Sequence, residues 1–180
     1  EHRWLKLFDD ILTLARRAPG WMGADRAGQI EQALTEDAGR ARMIALSGFY
    51  GARNLGDDLI MESIAGSIER QVKGAQVAIV AQSPGTVELA FGRQAVARTR
   101  HHEVDALVAK SDAFVLGGGG LWHDYTFRKA GGIRSLATGA TMSIGGVGIA
   151  GMLANIRGIP FHVVGLGVGP LTDPEAGQLV

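Results

Sequence analysis

Cysteine does not occur in this chain of 180 residues. That absence excludes disulfides, thiolate metal sites and a cysteine nucleophile together, and it fits a reducing compartment. Net charge is absent as well: 18 lysines and arginines are balanced by 18 aspartates and glutamates. No broad basic field therefore argues for a nucleic-acid partner, and acidic tails or blocks of like charge are missing. The five histidines are scattered apart from His101–His102, which gives no zinc spacing and no expected metal site. No internal repeat or low-complexity linker interrupts the chain, and no secretory signal stands at its start. The chain opens on Glu1 rather than Met and closes on DPEAGQLV, so the expectation is a segment of a longer protein.

Glycine is what the chain has in excess, 27 residues, about twice the average share. The glycines cluster beside apolar runs rather than in a collagen period, which points to tight turns and close backbone packing. Residues 3–17, RWLKLFDDILTLARR, read as an amphipathic helix stopped by Pro19–Gly20, with Leu7, Ile11 and Leu14 on its covered face. A weaker helix is predicted over about 25–38. Residues 1–40 thus form a helical extension that lies on the main domain or bridges to another. Asp9 and Asp10 spoil the basic face that a membrane-surface helix needs.

From Arg42 the pattern alternates between strands and helices. MIALSG (43–48), AQVAIVAQ (75–82), DAFVLGGGG (112–120, with 113–116 as its core) and the run from Pro160 to Leu166 read as buried strands, with RQAVAR (93–98) as a short third one. Helices are expected over about 60–72, around Val104–Val108, and over 133–157. Alternation of this kind implies a parallel sheet covered on both faces. Residues 41–180 are therefore expected to be one α/β domain, three-layered and Rossmann-like, with its ligand crevice at the carboxyl ends of the strands. Between Arg134 and Arg157 no charge occurs. Length alone would permit a membrane span, but Ser135, Thr138, Thr141, Ser143, Asn155 and five glycines argue instead for a buried helix, broken at Gly145–Gly146. Gly146, Ala150 and Ala154 would let it lie tight against the sheet.

Three glycine-rich segments follow strands. The first, SGFYGARNLGDDLI (47–60), lacks the lysine of a P-loop and the spacing of a dinucleotide fingerprint. A helix N-terminus attracts anions, and here Asp57 or Asp58 would fill that position as the N-cap. Asn54 suits a left-handed turn position. Either the loop is cap and turn alone, or one of Asn54, Asp57 and Asp58 also faces a polyhydroxyl ligand. The second, GGGGLWHDYT (117–126), offers free amides and bare backbone at Gly118, Gly119 and Gly120. His123 is a candidate acid, base or anion ligand, or a half-exposed loop histidine. Asp124 caps or braces the loop, or joins the chemistry. Trp122 and Tyr125 could stack on a sugar, with core packing the plainer role for Trp122. The third, GLGVGP (165–170), exposes backbone at Gly167 and Gly169 toward the same edge.

Together these segments, SGFYGARNLGDDLI, DAFVLGGGGLWHD and RGIPFHVVGLGVGPL, resemble in order and spacing the successive motifs of the polysaccharide pyruvyl transferase family. The resemblance covers residues 43–171 and leaves residues 1–40 outside it. It implies the N-terminal half of a two-domain, GT-B-like fold whose C-terminal domain is absent from this chain. It also implies transfer of a pyruvyl ketal from phosphoenolpyruvate to a sugar of a cell-surface polysaccharide, in the cytoplasm or at the inner face of the membrane. Phosphoenolpyruvate is then a co-substrate, and no cofactor is implied. The acceptor is a saccharide or lipid-linked oligosaccharide. Asn54, Asp57, Gly118, Gly119, Gly120 and Asp124 fall on family motif positions, whereas His123 matches none and its catalytic role rests on the local chemistry. The candidate site is then His123 and Asp124 as catalytic groups, with Asn54, Asp57, Asp58, Gly118, Gly119, Gly120, Gly167 and Gly169 binding substrate. The donor-binding arginines and histidine are expected in the absent half, and a 180-residue piece is expected not to turn over alone. A GT-B-type glycosyltransferase or nucleotide-sugar-binding domain is the alternative on the same architecture. A third reading is non-catalytic, with residues 1–40 as an assembly surface.

Overall fold

The computed structural model describes residues 41–135 and 144–178. The helices expected within residues 1–40, and residues 136–143 of the one expected over 133–157, lie outside the described residues. Five strands form one sheet: β1 (Arg42–Ser47), β2 (Ala75–Ala81), β3 (Ala95–Ala97), β4 (Ala113–Trp122) and β5 (Phe161–Val168). Every pairing is parallel and the order is β3-β2-β1-β4-β5. The chain builds outward from β1 to β3, then returns to the other side of β1 for β4. The carboxyl ends of β1 and β4 therefore flank the point at which the order reverses, where open α/β sheets bind ligands.

The helices are α1 (Leu55–Gln71), α2 (Pro84–Phe91), α3 (His101–Lys110), α4 (Ile144–Ile156) and a short α5 (Pro174–Gly177), with a 3-10 turn at Gly132–Arg134. Side chains alternate across a strand, and β1 shows the result. Ile44 and Leu46 join Met61 and Ala65 of α1 and Val87 of α2 on one face. Ala45 joins Val104, Leu107 and Val108 of α3 and Val147, Ala150 and Ala154 of α4 on the other. Two apolar layers on one all-parallel sheet explain why β1, β2 and the first half of β4 read as unbroken apolar runs, whereas β5, expected to be buried as well, is mostly exposed at the edge of the sheet.

Several expected boundaries move. The helix expected from about residue 60 begins at Leu55. Its first turn is hidden from periodicity because Leu55 and Leu59 stand 70% and 55% exposed. α4 runs from Ile144 to Ile156 without the break expected at Gly145–Gly146, because the small residues lie against the sheet: Gly146, Ala150 and Ala154 are buried. A Cβ on Gly151 would lie 3.2 Å from the Phe161 ring. No helix among the described residues is long and apolar enough to cross a membrane.

Glycines 117–120 of the second segment and Gly165 and Gly167 of the third belong to strands rather than loops, and Gly169 lies just past β5. Gly117 pairs with Val164, Gly119 with Leu166 and Trp122 with Val168, with an irregularity between Gly119 and Trp122. Two glycine-rich backbones can approach where bulkier ones cannot: a Cβ on Gly167 would sit 3.1 Å from the Gly120 Cα. No strand among the described residues pairs with the outer edge of β5, where Val163, Val164 and Val168 are exposed.

Candidate functional site

The first glycine segment leaves β1 at Ser47 and is held from three directions. Tyr50 is fully buried and donates its hydroxyl hydrogen to the Gly117 carbonyl of β4. Its own carbonyl accepts from Gln82 N, just past β2, at 2.8 Å. Asp58, only 6% exposed, accepts from Gly51 N through Oδ1 at 2.8 Å. Asp58 is therefore a buried brace inside the loop, not a group facing ligand.

The expected cap is corrected. Asn54, not an aspartate, caps α1, its Oδ1 accepting from Gly56 N at 3.2 Å. The left-handed position expected at Asn54 falls on Arg53, with φ of 60°. Asn54 itself has φ of −103°, the extended backbone an N-cap requires. Asp57, one turn in, accepts from Asn54 Nδ2 and benefits from the helix dipole. Asn54 and Asp57 form one polar pair at the mouth of the sheet, in the place where a bound phosphate would otherwise sit.

The second segment meets this pair. Gly118 and Gly119 have φ of 78° and 87°, a region open to glycine and strained for other residues. A Cβ on Gly119 would lie 2.8 Å from Asp57 Oδ1, and one on Gly118 would collide with Ile60. With Gly167 against Gly120, the three glycine segments converge at one end of the sheet. Gly169 joins less closely, its N–H donating to Trp122 O at 2.7 Å.

Asp124 and His123 take different places. Oδ2 of Asp124 accepts from Thr172 N, from Thr172 Oγ1 at 3.0 Å and from Asp173 N at 2.6 Å. This fastens the end of β4 to the segment after β5 and fits the bracing reading of Asp124. His123 packs its ring on Tyr125, with centroids 4.6 Å apart. Its Nδ1 is buried without a hydrogen-bond partner among the described residues, as is Trp122 Nε1. His123 does not join the Asn54–Asp57 pair in any hydrogen bond among the described residues.

Electrostatics separate the two acids. Burial, then the neighbouring charge of Asp58, raises the Asp57 carboxyl above its ordinary value, against the opposing hydrogen bond from Asn54. The Asp173 amide leads the causes that lower Asp124. Tyr50 is pushed far up by burial and then by Asp57, so its hydroxyl stays a donor. Asp57 is thus the more basic of the two carboxylates, at the end of the sheet where ligands bind.

Sequence reasoning missed Tyr50, whose partner is 67 positions away, and the pairing of Arg128 with Asp173. Neither carries a local signal. A depression of about 230 Å³ at the opposite, amino-terminal edge of the sheet is lined in part by Glu69, Gln76 and Arg93. Arg93 there is committed to Glu62 at 2.7 and 2.9 Å and to Glu69 at 2.7 Å, which makes it a staple between α1 and the start of β3. No three His, Asp or Glu side chains converge as metal ligands among the described residues. No protein-family model matches the chain, and no curated protein matches it significantly.

Proposed function

We propose that this chain is the acceptor-side half of a pyruvyl transferase with a GT-B-like, two-domain cleft, acting on a sugar of a surface polysaccharide. The observation that carries this reading is the convergence of Asp57, Gly119 and Gly167 at the carboxyl ends of the strands. Asn54 and Asp57 supply an amide and a carboxylate suited to neutral hydroxyls, and the acid at the start of α1 disfavours a pyrophosphate there. That favours pyruvyl transfer over a nucleotide-sugar enzyme on the same architecture.

In the reaction, two sugar oxygens bond to C2 of phosphoenolpyruvate, C3 takes up a proton and phosphate leaves. The two hydroxyl protons end on the new methyl group and on phosphate. Asp57, with its raised basicity, is placed to accept a hydroxyl proton, and His123 is the candidate to deliver one. The second domain supplies the cations for the donor, and the geometry of an interdomain cleft supplies proximity.

The test is phosphate release from phosphoenolpyruvate with methyl galactoside and methyl mannoside as acceptors, alongside detection of the ketal methyl group by NMR. A two-domain protein containing this chain is expected to form the ketal, and residues 1–180 alone are not. Sugar transfer from a nucleotide sugar with no ketal formation would replace this reading with the glycosyltransferase one.

A further inference from the structure

A second depression, of about 290 Å³, opens beyond the end of β4 between Asp124, Tyr125, Arg128, Lys129, Thr172 and Asp173. We infer that it is a saccharide subsite, holding a pyranose ring of the acceptor chain next to the ring being modified. The inference rests on the pyruvyl transfer reading for the identity of the chain bound, but the chemistry of the depression argues for a polyol by itself.

Tyr125 stands 67% exposed, yet its ring is backed by the His123 ring, tilted 34° from it. One aromatic face is thereby held in position, and an aromatic face accepts the apolar C–H side of a pyranose. Polar groups surround it. The donors from Thr172 and Asp173 sit on Oδ2 of Asp124, and the carboxylate has further lone pairs that can accept a hydroxyl. Arg128 reaches Asp173 through Nε and keeps its terminal nitrogens as donors. Lys129 adds three more donors at the rim.

Charge decides between ligand classes. Asp124 and Asp173 offset Arg128 and Lys129, so the lining is formally neutral. A phosphate or carboxylate gains little there, whereas a neutral polyol can use acceptors and donors at once. The volume, about 290 Å³, falls just below the roughly 300 Å³ at which pockets for drug-sized ligands begin, which suits a single ring rather than a larger ligand. Placement agrees too. Gly120 and Asp124 are four positions apart in the chain, on the order of 13 Å at most, a span that one oligosaccharide can bridge.

The experiment titrates the 180-residue chain with methyl galactoside, methyl mannoside, methyl glucoside and lactose. It follows the Tyr125 ring resonances by NMR and measures affinity by calorimetry, with no phosphoenolpyruvate present. At least one of these saccharides is expected to shift the Tyr125 resonances. Tyr125→Ala should weaken its binding at least about tenfold, while Tyr125→Phe stays within about twofold. The inference is overturned if none of the four shifts the ring, if Tyr125→Ala binds as well as the parent, or if inorganic phosphate shifts the ring and the saccharides do not. Because donor turnover is absent from the assay, saccharide binding without ketal formation would count against pyruvyl transfer alone. Ketal formation with a silent Tyr125 would count against the subsite alone.

Discussion

Tyr50 donates its phenolic hydrogen to the carbonyl of Gly117, latching the loop after β1 onto β4 where the strand order reverses. Tyr50→Phe keeps the ring and deletes the donor to that carbonyl. The expected loss is about 1–3 kcal/mol of unfolding free energy, read from urea denaturation. A variant as stable as the parent would show that the hydroxyl contributes nothing to the latch.

Asp58 serves the same loop from the helix side, through Gly51 N. Asp58→Ala should cost about 1–3 kcal/mol by orphaning that amide, whereas Asp58→Asn keeps an oxygen acceptor and should recover most of it. Equal losses in the two variants would move the role of Asp58 from hydrogen bond to charge.

The two outer acids should respond oppositely to pH. Asp57 is raised on folding, by burial and then by Asp58. Its contribution is therefore fully present below the unfolded carboxyl value and lost as pH rises through the folded one. Asp57→Asn escapes that loss and should gain on the parent as pH rises above the ordinary carboxyl range. Asp124 is lowered, first by the Asp173 amide, so its contribution is present above the unfolded value and lost as pH falls through the folded one. The cost of Asp124→Asn should be largest near neutrality and shrink in acid. Urea midpoints of both variants against pH check the pair of signs.

Gly119→Ala tests the close approach of β4 to the acid. The new methyl would stand 2.8 Å from Asp57 Oδ1 on a backbone with φ of 87°. Strain of about 1–3 kcal/mol is expected, together with a displaced Asp57 and loss of ketal formation by the two-domain protein. Full activity with an undisturbed Asp57 resonance would remove the carboxylate from the proposed site.

His123 is the sharper probe of chemistry. His123→Gln should lower the rate of ketal formation by about a hundredfold or more, if the ring carries a proton in the reaction, with the circular dichroism spectrum unchanged. An unchanged rate would leave His123 as the backing of Tyr125 and nothing further.

Much of the sheet was readable because burial on both faces turns strands such as β1 and β2 into apolar runs. α2 escaped notice since only Val87 of its residues is buried, too little for a period. The cap on α1 was misassigned because Asn and Asp cap equally well. What decided between them was the left-handed turn at Arg53, a property of the folded loop. Glycines 117–120 read as a loop because glycine is a poor strand former, and only the partner strand β5, itself rich in glycine, made pairing possible. Convergence of the three glycine segments was legible, because parallel strands deliver their carboxyl ends to one edge. The latch at Tyr50 and the Tyr125 depression were not, since each depends on groups brought together from distant parts of the chain.

The outer edge of β5 carries a consequence for handling the protein. Val163, Val164 and Val168 stand in water beside a row of backbone groups that no described strand takes up, and between Phe161 and Val168 the sequence has no lysine, aspartate, glutamate or proline. Those are the residues that ordinarily discourage one sheet from annealing to another. Left uncapped in concentrated solution, such a margin invites edge-to-edge annealing of sheets, which would join copies of the chain through this strand while the glycine cluster a few residues along it stays intact.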